Sequence, residues 1–298
     1  MWFLYALLAA LLWGGADLFY KKGSMKEDRF SDIKIVVAVG LAMGVHAVLY
    51  MLKNDLSVPL ESMVKYIPVS FSYILSMFIG YKGLRYLELS VSSPLQNSSG
   101  AVTTILLYVF VSDLPGAPET AAIAVILIGM LMLSIFERNK NIKIKEGEEK
   151  YRYGAKAIMF PIAYCVIDGI GTFLDGLYLD EYRIISEDDA LISFELTFLI
   201  CGIIAFAYLL KKKQKFTFKT DYSKGTAALL ETAGQYFYVF AMSGRAIIVA
   251  PLVSSYCVFS IIFSRLFLRE KLQKRQYTAI AAVVAGILLL GICEGLAE

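Results

Sequence analysis

Long apolar runs, interrupted only by short charged patches, decide most of what this chain can become. Residues 33–52, 190–210 and 277–293 show the pattern plainly. The charges crowd instead into stretches such as "ERNKNIKIKEGEEKYR" and "KKKQKFTFK". In water such runs would have to be covered. A bilayer removes that need, and the length fits, because a hydrocarbon core of about 30 Å takes roughly 20 helical residues per crossing. The chain is 58% hydrophobic and 18% charged, against roughly 45–50% and about 25% in soluble domains.

Ten runs qualify: 2–20, 33–52, 66–84, 91–111, 119–136, 155–178, 190–210, 225–243, 246–268 and 277–293. The first begins at Met1 but has no basic leading segment and no small-residue cleavage site. It therefore reads as a retained helix rather than a signal peptide. Strands of a transmembrane barrel would alternate polar and apolar residues, whereas these runs are continuous. The expectation is an all-α integral membrane protein with ten transmembrane helices.

Basic residues set the expected orientation. With ten helices, the loops after the odd-numbered ones share a side and carry five, two, seven, six and four Lys or Arg, which is 24 of the 29 in the chain. The other side carries only Lys53, Lys65, Arg183 and Arg245, beside the acidic "SEDDA" at 186–190. The basic odd-numbered loops are thus predicted to be cytoplasmic, in a cytoplasmic membrane, with both termini outside. Read as topology signals, these loops imply no nucleic-acid partner.

The chain also repeats itself. "SSPL" at 92–95 matches "VAPL" at 249–252. Carried forward at that offset of 157, Pro94 meets Pro251, Asp113 meets Glu270 and Gly129 meets Gly286. Trp13-Gly14 can be laid on Asp168-Gly169 at an offset of 155. The halves are 1–136 and 154–298, divided by a charged linker at 137–153. Five helices per half is odd, so the repeats must be inverted, which places a site at their interface near the midplane. One chain holds both halves, so a monomer is expected to suffice.

This five-plus-five layout, "WGG" at 13–15, a proline early in helices 4 and 9, "FLREKL" at 267–272 and "AGILLLG" at 285–291 together resemble the drug/metabolite transporter superfamily, in particular its EamA-type members. The resemblance covers almost the whole chain and implies a transporter. The chain departs from the family pattern at Asp168-Gly169, which replaces the small-Trp-Gly motif in the second half. Its loop charge also opposes the cytoplasmic termini commonly assigned to such proteins.

Polar residues inside the apolar runs are the candidate site, because an acid at the centre of a membrane helix costs about 2.5–3.5 kcal/mol on insertion scales. Glu231, Gln235 and Tyr238 fall on one face of helix 8. Asp168 and Thr172 do the same in helix 6, flanked by glycines. Asp175, nearer that helix's end, reads as readily as a solvated residue. Trp13 and Asp17 pair an aromatic face with a carboxylate, which suits a cation, although Lys21 one turn away offers Asp17 a simple ion pair. Asn97 and Ser254 occupy matching repeat positions. Pro94 and Pro251 are expected helix breaks.

Glu195 has no charged neighbour within four residues. A carboxyl held out of water is a natural proton carrier, so Glu195 and Asp168 are the proton-coupling candidates, with Arg245 or Arg265 as partners for Glu195. His46, the only histidine, reads as packed and hydrogen-bonded rather than as a ligand. Most of the tyrosines are expected at lipid and interface belts. The four cysteines form no metal-like spacing, and no phosphate loop or hydrolase signature occurs. Neither an enzyme, a cofactor nor a metal is expected. The expected function is secondary active transport of a small polar solute. Acids outnumber bases in the presumed cavity, which favours an amine or amino acid, and Arg265 is available to a carboxylate. The alternatives are a membrane scaffold and a lipid-headgroup flippase.

Overall fold

The computed structural model describes residues 1–24, 28–143 and 157–297, and no strand occurs among them. The helices are α1 (Trp2–Gly23), α2 (Ser31–Asn54), α3 (Leu60–Leu84), α4 (Leu89–Asn97), α5 (Ser99–Phe110), α6 (Ala117–Lys143), α7 (Met159–Gly176), α8 (Glu187–Lys211), α9 (Phe218–Ser254), α10 (Tyr256–Phe263) and α11 (Lys274–Ala297). π-helical turns at Leu177–Glu181 and Ser264–Leu268 extend α7 and α10. Of the expected charged linker, residues 144–153 lie outside the described residues.

Eight helical stretches among the described residues are long and apolar enough to cross a membrane, two fewer than expected. The difference has two local causes. The run at 91–111 is divided at Ser98 into α4 and α5, of 9 and 12 residues, each too short to cross alone. Conversely, Asp221–Leu268 is one stretch of 48 residues, bent where Arg245 leaves helical geometry at φ −154° and ψ 76°.

Pro94 and Pro251 do not themselves end a helix, as the sequence suggested. The interruptions fall four residues later, at Ser98 and Ser255, where the backbone tightens: Ala101 N reaches Ser98 O at 3.0 Å and Val258 N reaches Ser255 O at 2.9 Å. The Pro94 carbonyl collects hydroxyl donors from its own segment and from α6. Ser98 Oγ and Ser134 Oγ both donate to Pro94 O, at 3.0 and 2.8 Å. The stretches that begin just before each proline are capped alike. Leu89 N and Ser90 N donate to the Glu270 carboxylate at 3.1 and 3.0 Å, and Ala246 N donates to Asp180 at 2.7 Å. A carboxylate at a helix N-terminus satisfies free N–H groups and complements the helix dipole.

Helices of the first half lie against helices of the second. α1 packs along α9, α2 along α8, α3 along α7, and α6 along α11. Small residues make these seams: α1 turns Ala6, Ala9, Ala10 and Gly14 inward, which lets backbones approach closely. The seam between α6 and α11 is reciprocal. A Cβ on Gly129 would stand 2.6 Å from Val283 Cγ2, and one on Gly286 would stand 2.7 Å from Ile126 Cγ1. Likewise Gly14 rests on Phe259 and Gly169 on Val102. The outer faces are apolar. Leu41, Val45 and Leu49 of α2 and Ile200, Ile203 and Ile204 of α8 are exposed, a continuous surface suited to lipid.

At the end of the bundle where α1 gives way to α2, Lys34 Nζ meets Asp28 Oδ2 at 2.8 Å. Partial burial alone would raise the Asp28 carboxyl, but the hydrogen bond and charge of Lys34 outweigh it and hold the group below its usual range.

Candidate functional site

Helices α1, α3, α4, α7, α9 and α10 put polar side chains into one central cavity of about 780 Å³, counted with its open mouth. α1 contributes Trp13, Asp17 and Tyr20, which share a face because they are spaced four and three apart. α9 contributes Glu231, Gln235 and Tyr238 by the same rule. Tyr73 and Tyr81 come from α3, Gln96 and Asn97 from α4, and Tyr164, Asp168 and Thr172 from α7. Ser254 and Tyr256 sit on either side of the Ser255 interruption.

The nine residues singled out in the sequence as solute ligands, Trp13, Asp17, Asn97, Asp168, Thr172, Glu231, Gln235, Tyr238 and Ser254, all line this cavity. Hydroxyls orient its acids. Asp17 Oδ2 accepts from Ser93 Oγ at 2.8 Å and from Ser260 Oγ at 2.7 Å. Lys21 Nζ turns instead to the carbonyls of Leu84 and Leu87, so the expected Asp17–Lys21 pair is replaced by a serine clamp. Asp168 accepts from Ser99 Oγ at 2.8 Å and Ser76 Oγ at 3.3 Å. Glu231 is buried beside Tyr20, within electrostatic reach of both other acids. The Trp13 indole stands 5.0 Å from the Tyr238 ring and 5.9 Å from that of Tyr256, and its N–H donates to Glu231 O at 3.3 Å.

Among the described residues the lining thus carries three carboxyls and no Lys, Arg or His. Three like charges around one low-dielectric space repel one another, and a proton or a bound cation relieves that cost. One donor is also free: Gln96 Nε2 is buried and finds no acceptor among the described residues. No cluster of three or more metal-ligating side chains occurs among the described residues.

Several expectations need correction. Arg265 is exposed and reaches only Glu270 O, at 3.4 Å, so it is no cavity cation. Glu195 is paired with neither Arg265 nor Arg245. Arg245 instead binds Glu119 at 2.6 Å, while Glu195 lies outside the cavity against His46 Nδ1, at 2.8 Å. Asp175 is not solvated. It is fully buried just beyond the cavity, accepting from Tyr66 OH and, at 3.4 Å, from Tyr73 OH. Tyr73 also donates to Thr172 Oγ1 at 3.1 Å and meets Tyr238 OH at 2.5 Å. Six of the nineteen tyrosines line the cavity. The signal for Asp175 and Tyr20 was present in the sequence, since each continues a polar row by three residues: Asp168, Thr172, Asp175 and Trp13, Asp17, Tyr20.

The sequence model of the EamA-like transporter family matches residues 1–135 and 183–292. The chain belongs to the EamA-like transporter family. That family is part of the drug/metabolite transporter superfamily, and membership implies a lipid bilayer around the helices and a small-molecule substrate. A crystal structure of another protein is similar over 99% of this chain and 98% of that one, with a TM-score of 0.68 at 10% identity, which speaks for the fold alone. Among curated proteins none matches the sequence significantly.

Proposed function

We propose that this EamA-family chain is a secondary transporter that moves a small cationic or zwitterionic solute, an amine or amino acid, by alternating access. The observation that carries the reading is the cavity itself. Asp17, Asp168 and Glu231 face one space that no basic side chain among the described residues lines, between aromatic rings suited to a cation. Gln96 Nε2 offers an unused donor to a substrate oxygen, which extends the solute class to zwitterions.

The architecture we infer is ten crossings in two inverted halves, 1–136 and 154–298. Counting α4 and α5 as one interrupted crossing, and Asp221–Leu268 as two crossings joined at Arg245, brings eight stretches to ten. The repeat is supported by the offset of 157 that relates Ser98 to Ser255 and also carries Gly129, Ile126 and Val102 onto Gly286, Val283 and Phe259. The reciprocal glycine contacts are what an inverted pair would make. Cavity walls drawn from both halves allow each half to adopt the shape the other leaves. The basic odd-numbered loops are proposed to face the cytoplasm.

A thermal-shift screen of the detergent-purified protein with amino acids, amines, quaternary ammonium compounds and nucleosides tests the reading. A ligand of the folded state raises the unfolding temperature by mass action. Stabilisation by an amine or amino acid that is lost in Glu231→Gln supports it. If no compound shifts the protein, and Glu231→Gln is merely less stable, the acids only fasten helices and the reading falls.

A further inference from the structure

Glu195 is a buried acid outside the cavity whose partner is a titratable imidazole. It is fully buried in α8, and its carboxylate spans His46 Nδ1 of α2 at 2.8 and 2.9 Å. Among the described residues His46 is its ionic partner. The pair sits on the α2–α8 seam, one residue behind the cavity wall. Phe194 lines the cavity while Glu195, the next residue, turns away from it toward His46.

We propose that His46 and Glu195 form a proton-binding site that drives this transporter and is separate from the cavity that takes the solute. The inference rests on the transporter reading above. Its charge arithmetic is simple. With a neutral imidazole and an ionised carboxyl, the dyad carries one negative charge inside the membrane. Binding one proton, on either Nδ1 or a carboxyl oxygen, makes it neutral overall, and the low dielectric favours that form. The dyad can therefore take up one proton, hold it through a conformational change, and release it where its surroundings become wetter.

A route to it lies along the same seam. Tyr50 is one helical turn from His46, with ring centroids 5.9 Å apart, and its hydroxyl donates to Asp188 Oδ1 at 2.7 Å. Asp188 and Glu195 are seven residues apart, on one face of α8. Asp188 thus stands where α8 begins, and Glu195 two turns deeper. α9 places the Tyr236 ring 6.1 Å from His46. From α3, Ser62 holds Asp189 at 2.7 Å, and the hydroxyls of Tyr66 and Tyr73 turn to Asp175 rather than to the dyad. Coupling to the solute has a physical path. The Phe194 ring meets Tyr73 edge-on at 5.9 Å, and Tyr73 binds Tyr238 and Thr172 of the cavity wall. A shift of α8 on proton uptake would be felt there.

Two measurements separate this proposal from the transporter reading. In pH-difference infrared spectra of the purified protein without solute, the wild type should show a carboxyl band, or a shifted carboxylate band if the proton rests on Nδ1, that vanishes in Glu195→Gln and moves in His46→Gln. Absence of a Glu195-dependent band overturns the proposal whatever is transported. In proteoliposomes, the probes are radiolabelled lysine, phenylalanine, putrescine and choline. Exchange of a probe at equal pH should survive in both variants at more than half the wild-type rate. Accumulation driven by a pH gradient should fall at least tenfold. Retained accumulation, or equal loss of exchange and accumulation, rejects the coupling role. If the wild type exchanges none of the four, the solute class above fails, while the infrared result still decides whether the dyad binds a proton.

Discussion

The indole of Trp13 sets its Cδ1–Nε1 edge against Gly234 on the facing helix. A Cβ at Gly234 would come within 2.5 Å of Trp13 Cδ1 and 2.6 Å of Nε1. This glycine therefore decides where the cavity's tryptophan can stand. Replacing it, Gly234→Ala, should force the ring off its contact with Tyr238 and lower stability by about 1–3 kcal/mol, the usual range for overpacking. The check is a double-mutant cycle with Trp13→Leu, read by thermal unfolding. Once Trp13→Leu has removed the ring, the cost of the added methyl should largely disappear. An undiminished cost would mean that the clash is with the backbone and not with the ring.

The reciprocal seats of Gly129 and Gly286 make a second prediction. Each faces the residue that the proposed repeat would place opposite the other, Val283 and Ile126. Gly129→Val and Gly286→Val should therefore destabilise by similar amounts, about 1–3 kcal/mol each. Gly225 in α9 serves as the control, since nothing lies within 4 Å of its Cβ position. Gly225→Ala should leave stability unchanged or raise it, by up to about 1 kcal/mol of helix propensity. Strongly unequal losses at the two valine variants would argue against an inverted pair.

Asp28 gives a pH-dependent prediction outside the membrane helices. Lys34 holds its carboxyl below the usual range, so the folded state keeps the ionised form to lower pH than the unfolded chain does. Stability from this pair is present above the ordinary carboxylate range and is lost as pH falls through the depressed folded value. Asp28→Asn should flatten the acid limb of the unfolding-temperature profile and leave its alkaline limb parallel to the wild type. An unchanged acid limb would assign that limb to other groups.

The helical rows that form the cavity were legible because periodicity is a property of one helix. Trp13 with Asp17, and Glu231 with Gln235 and Tyr238, share faces whatever surrounds them. Partners across helices were not legible. Nothing in the sequence links Glu195 to His46, 149 residues away, and its two nearest-seeming cations are spoken for or exposed. Asp175 was left open for a related reason: its position near a helix end suggests water, but Tyr66 and Tyr73 of α3 cover it. The interruptions at Ser98 and Ser255 fall a turn after their prolines, so the proline positions alone misplace them.

Orientation is the most consequential property that loop charge predicts. The loop between α8 and α9 carries several exposed lysines, and that between α2 and α3 carries Asp55. The native cysteines, Cys165, Cys201, Cys257 and Cys293, all lie within helices, so each can be replaced by alanine to give a background for single labels. In intact cells, a membrane-impermeant maleimide should react with Asp55→Cys at once and with Lys215→Cys only after permeabilisation. The reason is energetic: holding lysines and arginines on the cytoplasmic side is the dominant topology signal for short loops, and 24 of the 29 lie in the odd-numbered loops. The reverse pattern would place both termini in the cytoplasm. The α2–α8 seam would then be entered, at its Asp188 end, from the cytoplasm, and a proton bound at His46 and Glu195 would be drawn from inside the cell.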